Sequence, residues 1–183
     1  PLTYGQSLGD ATITGTQANP FDGSSISGGY AFDTPESVPA VSDSGLTAYA
    51  YTFTPEDVSN YTDVAGLITV SVSKATPALR DVRTTPLTYG QSLGDATITG
   101  TQTNEFSNWA VAGSYAFDAP EIVPAVLDSE VTTYSYVFVP DDAVNYTGVA
   151  GSVTVTVREA GQVISGLSDM RRSWGASPFA LTG

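Results

Sequence analysis

PLTYGQSLGDATITGTQ, residues 1–17, recurs without a single change as residues 86–102. The offset between Pro1 and Pro86 then holds to the end of the unit, where Tyr61 aligns with Tyr146 and Val72 with Val157. Of the 75 pairs formed between residues 1–75 and residues 86–160, 48 are identical. Because each unit has the size of a small domain, the repeat predicts a tandem array of domains rather than a short-period solenoid.

The ends of the chain do not coincide with the borders of the repeat. Residues 161–170 stand where residues 76–85 stand before the second copy, and SWGASPFALTG (173–183) is similar to TYGQSLGDATITG (88–100). We therefore predict three parts: a first repeat at 1–75 whose first strand is missing, a second repeat at 76–160, and either the opening strands of a third repeat or a donor-strand segment at 161–183. The start at Pro1, without a signal peptide, indicates a processed chain or a fragment.

Composition excludes several classes of function. The chain has no Cys and no His, so disulfides, the usual zinc, haem and iron–sulfur sites, and Ser-His or Cys-His catalysis are not available to it. A formal net charge of −13 repels phosphate backbones and anionic lipid, so we expect no nucleic acid partner and no binding to a membrane surface. No apolar run approaches the roughly 20 residues of a membrane span, so we expect no membrane insertion. We also expect no cofactor, no bound metal and no enzymatic activity.

Alternation with a period of two dominates each copy and predicts half-buried antiparallel strands. The clearest run places Tyr49, Tyr51 and Phe53 on one face, and the second copy repeats it at the equivalent positions. Shorter predicted strands cover residues 11–16 and 30–33 with their counterparts at 96–101 and 115–118. Short strands separated by Gly and Pro predict an all-β fold of tandem immunoglobulin-like β-sandwich domains.

A turn that contains an aspartate four residues before a tyrosine occurs in both copies, as PEDVSNY (55–61) and PDDAVNY (140–146). Immunoglobulin-like sandwiches have a similar spacing at the tyrosine corner, where the hydroxyl bonds to nearby backbone. We expect the aspartates to accept hydrogen bonds from local amides. The predicted structural corner consists of Asp57, Asn60, Tyr61, Asp142, Asn145 and Tyr146.

Four motifs together resemble the bacterial immunoglobulin-like repeats known as MBG-type. They are TYGQSL (3–8), VPAV (38–41), the Y-x-F-x-P-x-D-x-x-N-Y pattern (51–61), and the closing V-T-V-x-V (153–157), with KATP (74–77) after the first copy. The resemblance implies β-sandwich stalk modules of adhesin-like proteins at the bacterial cell surface. It implies no catalytic residues. The second copy departs from the pattern, since Glu159 replaces Lys74.

The most divergent segment between the copies offers an alternative function. Residues 103–112 include Phe106, Asn108 and Trp109, and variable loops on a constant scaffold often carry recognition. The chain could therefore be a carbohydrate- or protein-binding module, with a glycan or a host or cell-surface protein as partner. For Trp109 itself, partial burial against the sandwich is the competing interpretation.

Acidic residues near the corners leave calcium as the one plausible metal, although turn chemistry explains Asp57 and Asp142 without it. The sequons Asn60-Tyr61-Thr62 and Asn145-Tyr146-Thr147 leave glycosylation open. The other carboxylates that could supply oxygen ligands to calcium are Glu56, Asp63 and Asp141.

The expected function is structural: an extracellular stalk, a spacer or a fibre-forming subunit whose partners are neighbouring copies of the same repeat. A first repeat without its first strand would expose a sheet edge that can accept a strand from another chain. The residues of this possible donor strand are Val163, Ile164 and Leu167. A covalent array cut from a longer protein would give the same succession of repeats.

Overall fold

The computed structural model describes residues 1–166, and Leu167 therefore lies outside the described residues. The first repeat contains β1 (Leu2–Thr3), β2 (Gln17–Ala18), β3 (Ser25–Ile26), β4 (Gly28–Phe32), β5 (Ala48–Pro55), β6 (Val64–Thr69) and β7 (Val72–Ser73). The second contains β8 (Ala78–Thr84), β9 (Leu87–Thr88), β10 (Ile98–Thr103), β11 (Gly113–Phe117), β12 (Thr133–Pro140), β13 (Val149–Thr154) and β14 (Val157–Arg158). Short 3-10 helices lie at Leu8–Asp10, Val41–Asp43, Leu93–Asp95 and Val126–Asp128. No α-helix occurs among residues 1–166, and the predicted all-β class is confirmed.

A three-stranded antiparallel sheet is the common feature of the two repeats. Its order is β4-β5-β6 in the first repeat and β11-β12-β13 in the second. Gly28 pairs with Pro55 as Gly113 pairs with Pro140, so equivalent residues of the two copies share one register. The period-two pattern of the central strand places Phe53 and Phe138 on the buried face.

Within residues 1–166, a paired layer of two strands, β8 and β10, packs on this sheet only in the second repeat. Strand β8 pairs antiparallel with β10, and a bulge interrupts the register opposite Gly100, where Asp81 has a φ of +52°. Leu79 and Val82 of β8 pack against a core that also includes side chains of β11, β12 and β13. The buried members of that core are Leu87, Leu93, Ile98, Phe117, Tyr136, Val153, Val155 and Val157.

The first repeat has no counterpart of β8 among the described residues. The strand predicted over residues 11–16 does not form there, and only β2 pairs, with β3. In the second repeat the strand is present but lies at Ile98–Thr103 instead of 96–101. The prediction is wrong for the first repeat because a strand requires a partner for its backbone groups, and identical residues alone do not provide one.

The missing layer lowers the burial of the first repeat's core. Ile98 and Val155 are buried, whereas the identical residues Ile13 and Val70 are only half-buried. Among the described residues, the hydrophobic cluster of the first repeat has three buried members, Leu2, Leu8 and Phe32, and Phe53 and Val72 are buried outside it. The first repeat therefore keeps one side of its apolar interior open.

Candidate functional site at the junction between the repeats

The two repeats meet through an aromatic contact. The Tyr4 ring of the first repeat lies edge-on to Tyr146 of the second, with 5.3 Å between ring centroids and 87° between ring planes. Trp109 makes a similar contact with Tyr4 at 6.2 Å. Such edge-to-face pairs add stabilisation beyond the area that they bury. We call the contact of Tyr4 and Ala75 with Asn104, Trp109 and Tyr146 the junction.

Asn104 is the polar centre of the junction and is fully buried. Its Nδ2 donates to the Tyr4 carbonyl at 2.9 Å and to the Tyr146 hydroxyl at 3.3 Å. Its Oδ1 accepts from the amides of Phe106 at 2.9 Å and Ser107 at 3.2 Å. A buried amide with both ends satisfied links the loop, the tyrosine and the preceding repeat into one network.

Gly5 fits against Asn104 because it has no side chain. Its φ is +102°, and a Cβ built there would come within 2.4 Å of the Asn104 side chain. The equivalent Gly90 has a φ of +100° but no atom within 4 Å of such a Cβ. The two glycines share a backbone conformation, and only Gly5 is enclosed by a neighbouring repeat.

Backbone groups of Ala75 extend the junction along the chain. The Ala75 amide donates to the Asn145 carbonyl at 2.9 Å, and the Thr147 amide donates to the Ala75 carbonyl at 2.9 Å. The Lys74 ammonium donates to the Ala143 carbonyl at 2.6 Å. These bonds make the first residues after β7 a short continuation of the second repeat.

The predicted corner residues of the second repeat form part of this contact. Asp142 accepts from the amide of Asn145 at 3.1 Å and from its Nδ2 at 2.8 Å, as the turn chemistry predicts. Asn145 Oδ1 then accepts from the Val41 amide of the first repeat at 2.9 Å. The Tyr146 hydroxyl is bonded to a side chain, that of Asn104, whereas the tyrosine-corner pattern predicts a bond to nearby backbone.

The same turn forms in the first repeat, but no other repeat covers it within residues 1–166. Asp57 accepts from the amide of Asn60 at 3.2 Å and from its Nδ2 at 2.7 Å, and Asn19 Nδ2 lies 3.5 Å from the Tyr61 hydroxyl. Within residues 1–166, no atom donates to Asn60 Oδ1. Tyr61 is half-buried, whereas Tyr146 is 7% exposed.

A groove of about 280 Å³ lies at this corner of the first repeat. We call it the open groove. Because Tyr61 and Thr62 correspond to Tyr146 and Thr147, the open groove is the first repeat's equivalent of the surface that the junction covers. It is lined by Gln17, Ala18, Pro20, Ile26, Phe53, Pro55, Asn60, Tyr61, Thr62 and Val64.

The loop residues predicted for ligand binding lie beside the junction. Phe106 is 50% exposed and Trp109 is 47% exposed, and Asn108 supports the turn with a φ of +56°. The contact between Trp109 and Tyr4 means that part of the loop holds the preceding repeat. Of the predicted donor strand, Val163 is 91% exposed and Ile164 is 77% exposed.

Burial raises the pKa of the Tyr4 hydroxyl above its usual value, and the neighbouring Tyr146 and Asp142 raise it further. The neutral phenol is therefore the form that the junction favours.

Among residues 1–166 no group of three or more His, Cys, Asp or Glu side chains is arranged to hold a metal ion. In that same range no helix is long and apolar enough to cross a membrane.

Sequence reasoning missed Asn104 and Tyr4, which carry the junction. Both residues recur in the other copy, since Asn104 corresponds to Asn19 and Tyr4 corresponds to Tyr89. This recurrence was the available signal, although the loop around Asn104 diverges between the copies.

In comparisons with known proteins, no protein-family model, curated protein or solved structure matches this chain.

Proposed function

We propose that the chain is a structural module: two immunoglobulin-like β-sandwich repeats of an extracellular stalk, spacer or fibre at a bacterial surface. The observation that carries the proposal is the junction. Asn104 is fully buried and fully hydrogen-bonded at a contact between repeats, whereas a flexible linker would leave such a group in water. Fixed contacts between successive repeats are what a spacer requires, because they set its length and direction.

Other features support the same function. Most aromatic residues that the two repeats share pack in the core or in the junction. The hollow that recurs in both copies is lined at each place by a tyrosine, a phenylalanine and an isoleucine among small residues. The MBG-type resemblance of the sequence agrees with a stalk, and the surface location rests on that resemblance alone.

Small-angle X-ray scattering tests this proposal. The chain should show one well-defined distribution of distances between its two repeats. Replacing Tyr4 by Ala should broaden that distribution, and replacing the equivalent Tyr89, which is 55% exposed, should not. A broad distribution in the unmodified chain would contradict a spacer with fixed geometry.

A binding module is the second candidate, because Phe106 and Trp109 keep about half of their surfaces exposed on a divergent loop. A glycan array and a pull-down with the Trp109→Ala variant as control test it. Binding that requires Trp109 would support this function, and binding unchanged by the substitution would remove the loop as its site.

A further inference from the structure

We propose that the free edge of β11, and the equivalent edge of β4 in the first repeat, binds an extended basic peptide as an added strand. In this mode of recognition, main-chain hydrogen bonds provide affinity and alternate side chains provide specificity. The site is formed within the body of each repeat rather than at the junction. The inference therefore goes beyond the spacer function and does not depend on it.

An unpaired row of backbone groups is the first observation behind the proposal. Strand β11 pairs on one side with β12, and no strand of the described part of the chain pairs with its other side. The Asp118 amide donates to the Ser135 carbonyl of β12. Because this direction alternates along an antiparallel strand, the amides and carbonyls of Tyr115 and Phe117 point away from β12, toward the free edge.

Strand β4 has the same free edge in the first repeat. The Asp33 amide donates to the Ala50 carbonyl, which leaves the backbone groups of Tyr30 and Phe32 facing away from β5. Neither β4 nor β11 contains a proline or a charged residue, which are the residues that commonly protect an exposed edge from strand addition. Two equivalent edges that can accept a strand therefore occur one repeat apart.

The hollow that recurs in both repeats lies along this edge, and we call it the edge hollow. Its volume is about 370 Å³ in the second repeat and about 210 Å³ in the first. In the second repeat its walls include Ala96 and Ile98 on one side and Tyr115, Phe117 and Pro120 on the other. Because side chains alternate along a strand, every second residue of an added strand would point into this apolar space.

A backbone contact closes one end of the edge hollow and fixes its shape. The Gly94 amide donates to the Pro120 carbonyl at 2.8 Å, and a Cβ on Gly94 would come within 3.3 Å of that carbonyl oxygen. In the first repeat the Gly9 amide donates to the Pro35 carbonyl at 2.7 Å. A site that is formed in advance needs little ordering when a peptide binds to it.

The charge beside the edge selects a basic partner. The outer face of β11 presents Ser114 and Ala116, and the exposed Asp118 follows directly on the same face. Glu121 is also exposed, and residues 84–157 contain neither Lys nor Arg. Cationic side chains at the outward positions of an added strand would lie beside Asp118 as cross-strand pairs of opposite charge.

A second copy of this chain is a poor occupant of the same edge. The formal net charge of −13 makes two copies repel each other. Asp33 and Glu36 repeat the acidic positions beside β4, so pairing of two edges would bring like charges together. The occupant that fits is therefore a strand from another protein, with small apolar residues facing the edge hollow and cations facing outward.

A capped peptide of about eight residues, in which valine alternates with lysine, provides the probe. Added to the full chain, it should protect the amides of Tyr115 and Phe117 from hydrogen exchange at least about tenfold. The amides of Ala116 and Asp118 face β12 and should not change. A peptide with glutamate in place of lysine should give no protection.

Methylation of the peptide's amides separates strand addition from charge attraction alone. Only one of the two alternating sets of amides in an added strand can face β11. Of two peptides, each methylated on one set, one should therefore lose binding and the other should keep it. Equal effects of the two methylations would overturn the proposal.

Asp118→Lys tests the charge beside the edge. Within residues 1–166 no side-chain hydrogen bond involves Asp118, so the variant should fold, which circular dichroism verifies. Its affinity for the lysine peptide at β11 should fall at least several-fold, while binding at β4 is retained. The control Asp63→Lys makes the same change in net charge beside the open groove, at an exposed position between Thr62 and Val64.

Equal loss of affinity in the two variants, or no protection of Tyr115 and Phe117 by the lysine peptide, would overturn the proposal. A chain that does not bind the peptide and still shows the fixed scattering geometry would leave the spacer function standing.

Discussion

Replacing Gly5 by Ala should destabilise the chain far more than the same change at Gly90. The two glycines lie in the identical pentapeptide TYGQS and share a φ near +100°. Alanine at positive φ costs about 1–2 kcal/mol, and this cost applies equally to both variants. The difference between the variants therefore measures the junction alone.

The size of that difference follows from Asn104. A Cβ on Gly5 would come within 2.4 Å of Asn104 side-chain atoms, and four hydrogen bonds hold that side chain in place. Relief of the overlap requires Asn104 to shift and to lose at least one bond while buried, at about 1–3 kcal/mol per unpaired group. With residual overpacking, we expect Gly5→Ala to cost about 2–4 kcal/mol more than Gly90→Ala.

Urea unfolding of both variants, followed by far-UV circular dichroism and by tryptophan fluorescence, provides the assay. Trp109 contacts Tyr4, so its emission should also change in the folded Gly5→Ala chain and remain unchanged in Gly90→Ala. Equal losses of unfolding free energy in the two variants would refute the argument that the repeats are held together through Asn104.

Three further outcomes follow from the same contacts. Tyr146→Phe should lower the free energy of unfolding by about 1 kcal/mol, and Tyr61→Phe by less, because only Tyr146 is buried beside its amide partner; equal effects in urea titrations would contradict this. Burial raises the pKa of Tyr4, Tyr49, Tyr134 and Tyr136, so stability is fully present below about pH 10 and should fall as pH rises through the raised values. Unfolding midpoints from pH 8 to 11 measure this, and a rise would have the wrong sign. Calcium should leave the melting temperature unchanged relative to EDTA, and a shift of several degrees would reveal a site.

The sequence was sufficient for the features that depend on local pattern. The alternation around Phe53 and Phe138 predicted the central strands, and the spacing from aspartate to tyrosine predicted turns in which the carboxylate accepts local amides. These features need only the residues within a few positions, so they recur wherever the residues recur.

Burial and partnership could not be predicted in the same way. Ile13 and Ile98 stand in identical segments, and the second is buried because Leu79 and Val82 of a strand outside that segment pack near it. Asn104 bonds to Tyr4, 100 residues earlier in the chain, and no local pattern indicates such a contact. The two repeats differ through their neighbours more than through their own residues.

Hydrogen exchange of two amides tests the junction most directly. Thr147 and Thr62 both follow an Asn-Tyr pair, yet only the Thr147 amide donates across the junction, to Ala75 at 2.9 Å. We predict strong protection of the Thr147 amide and fast exchange of the Thr62 amide. Equally fast exchange of both amides would show that the repeats are joined by a flexible linker and would contradict the account.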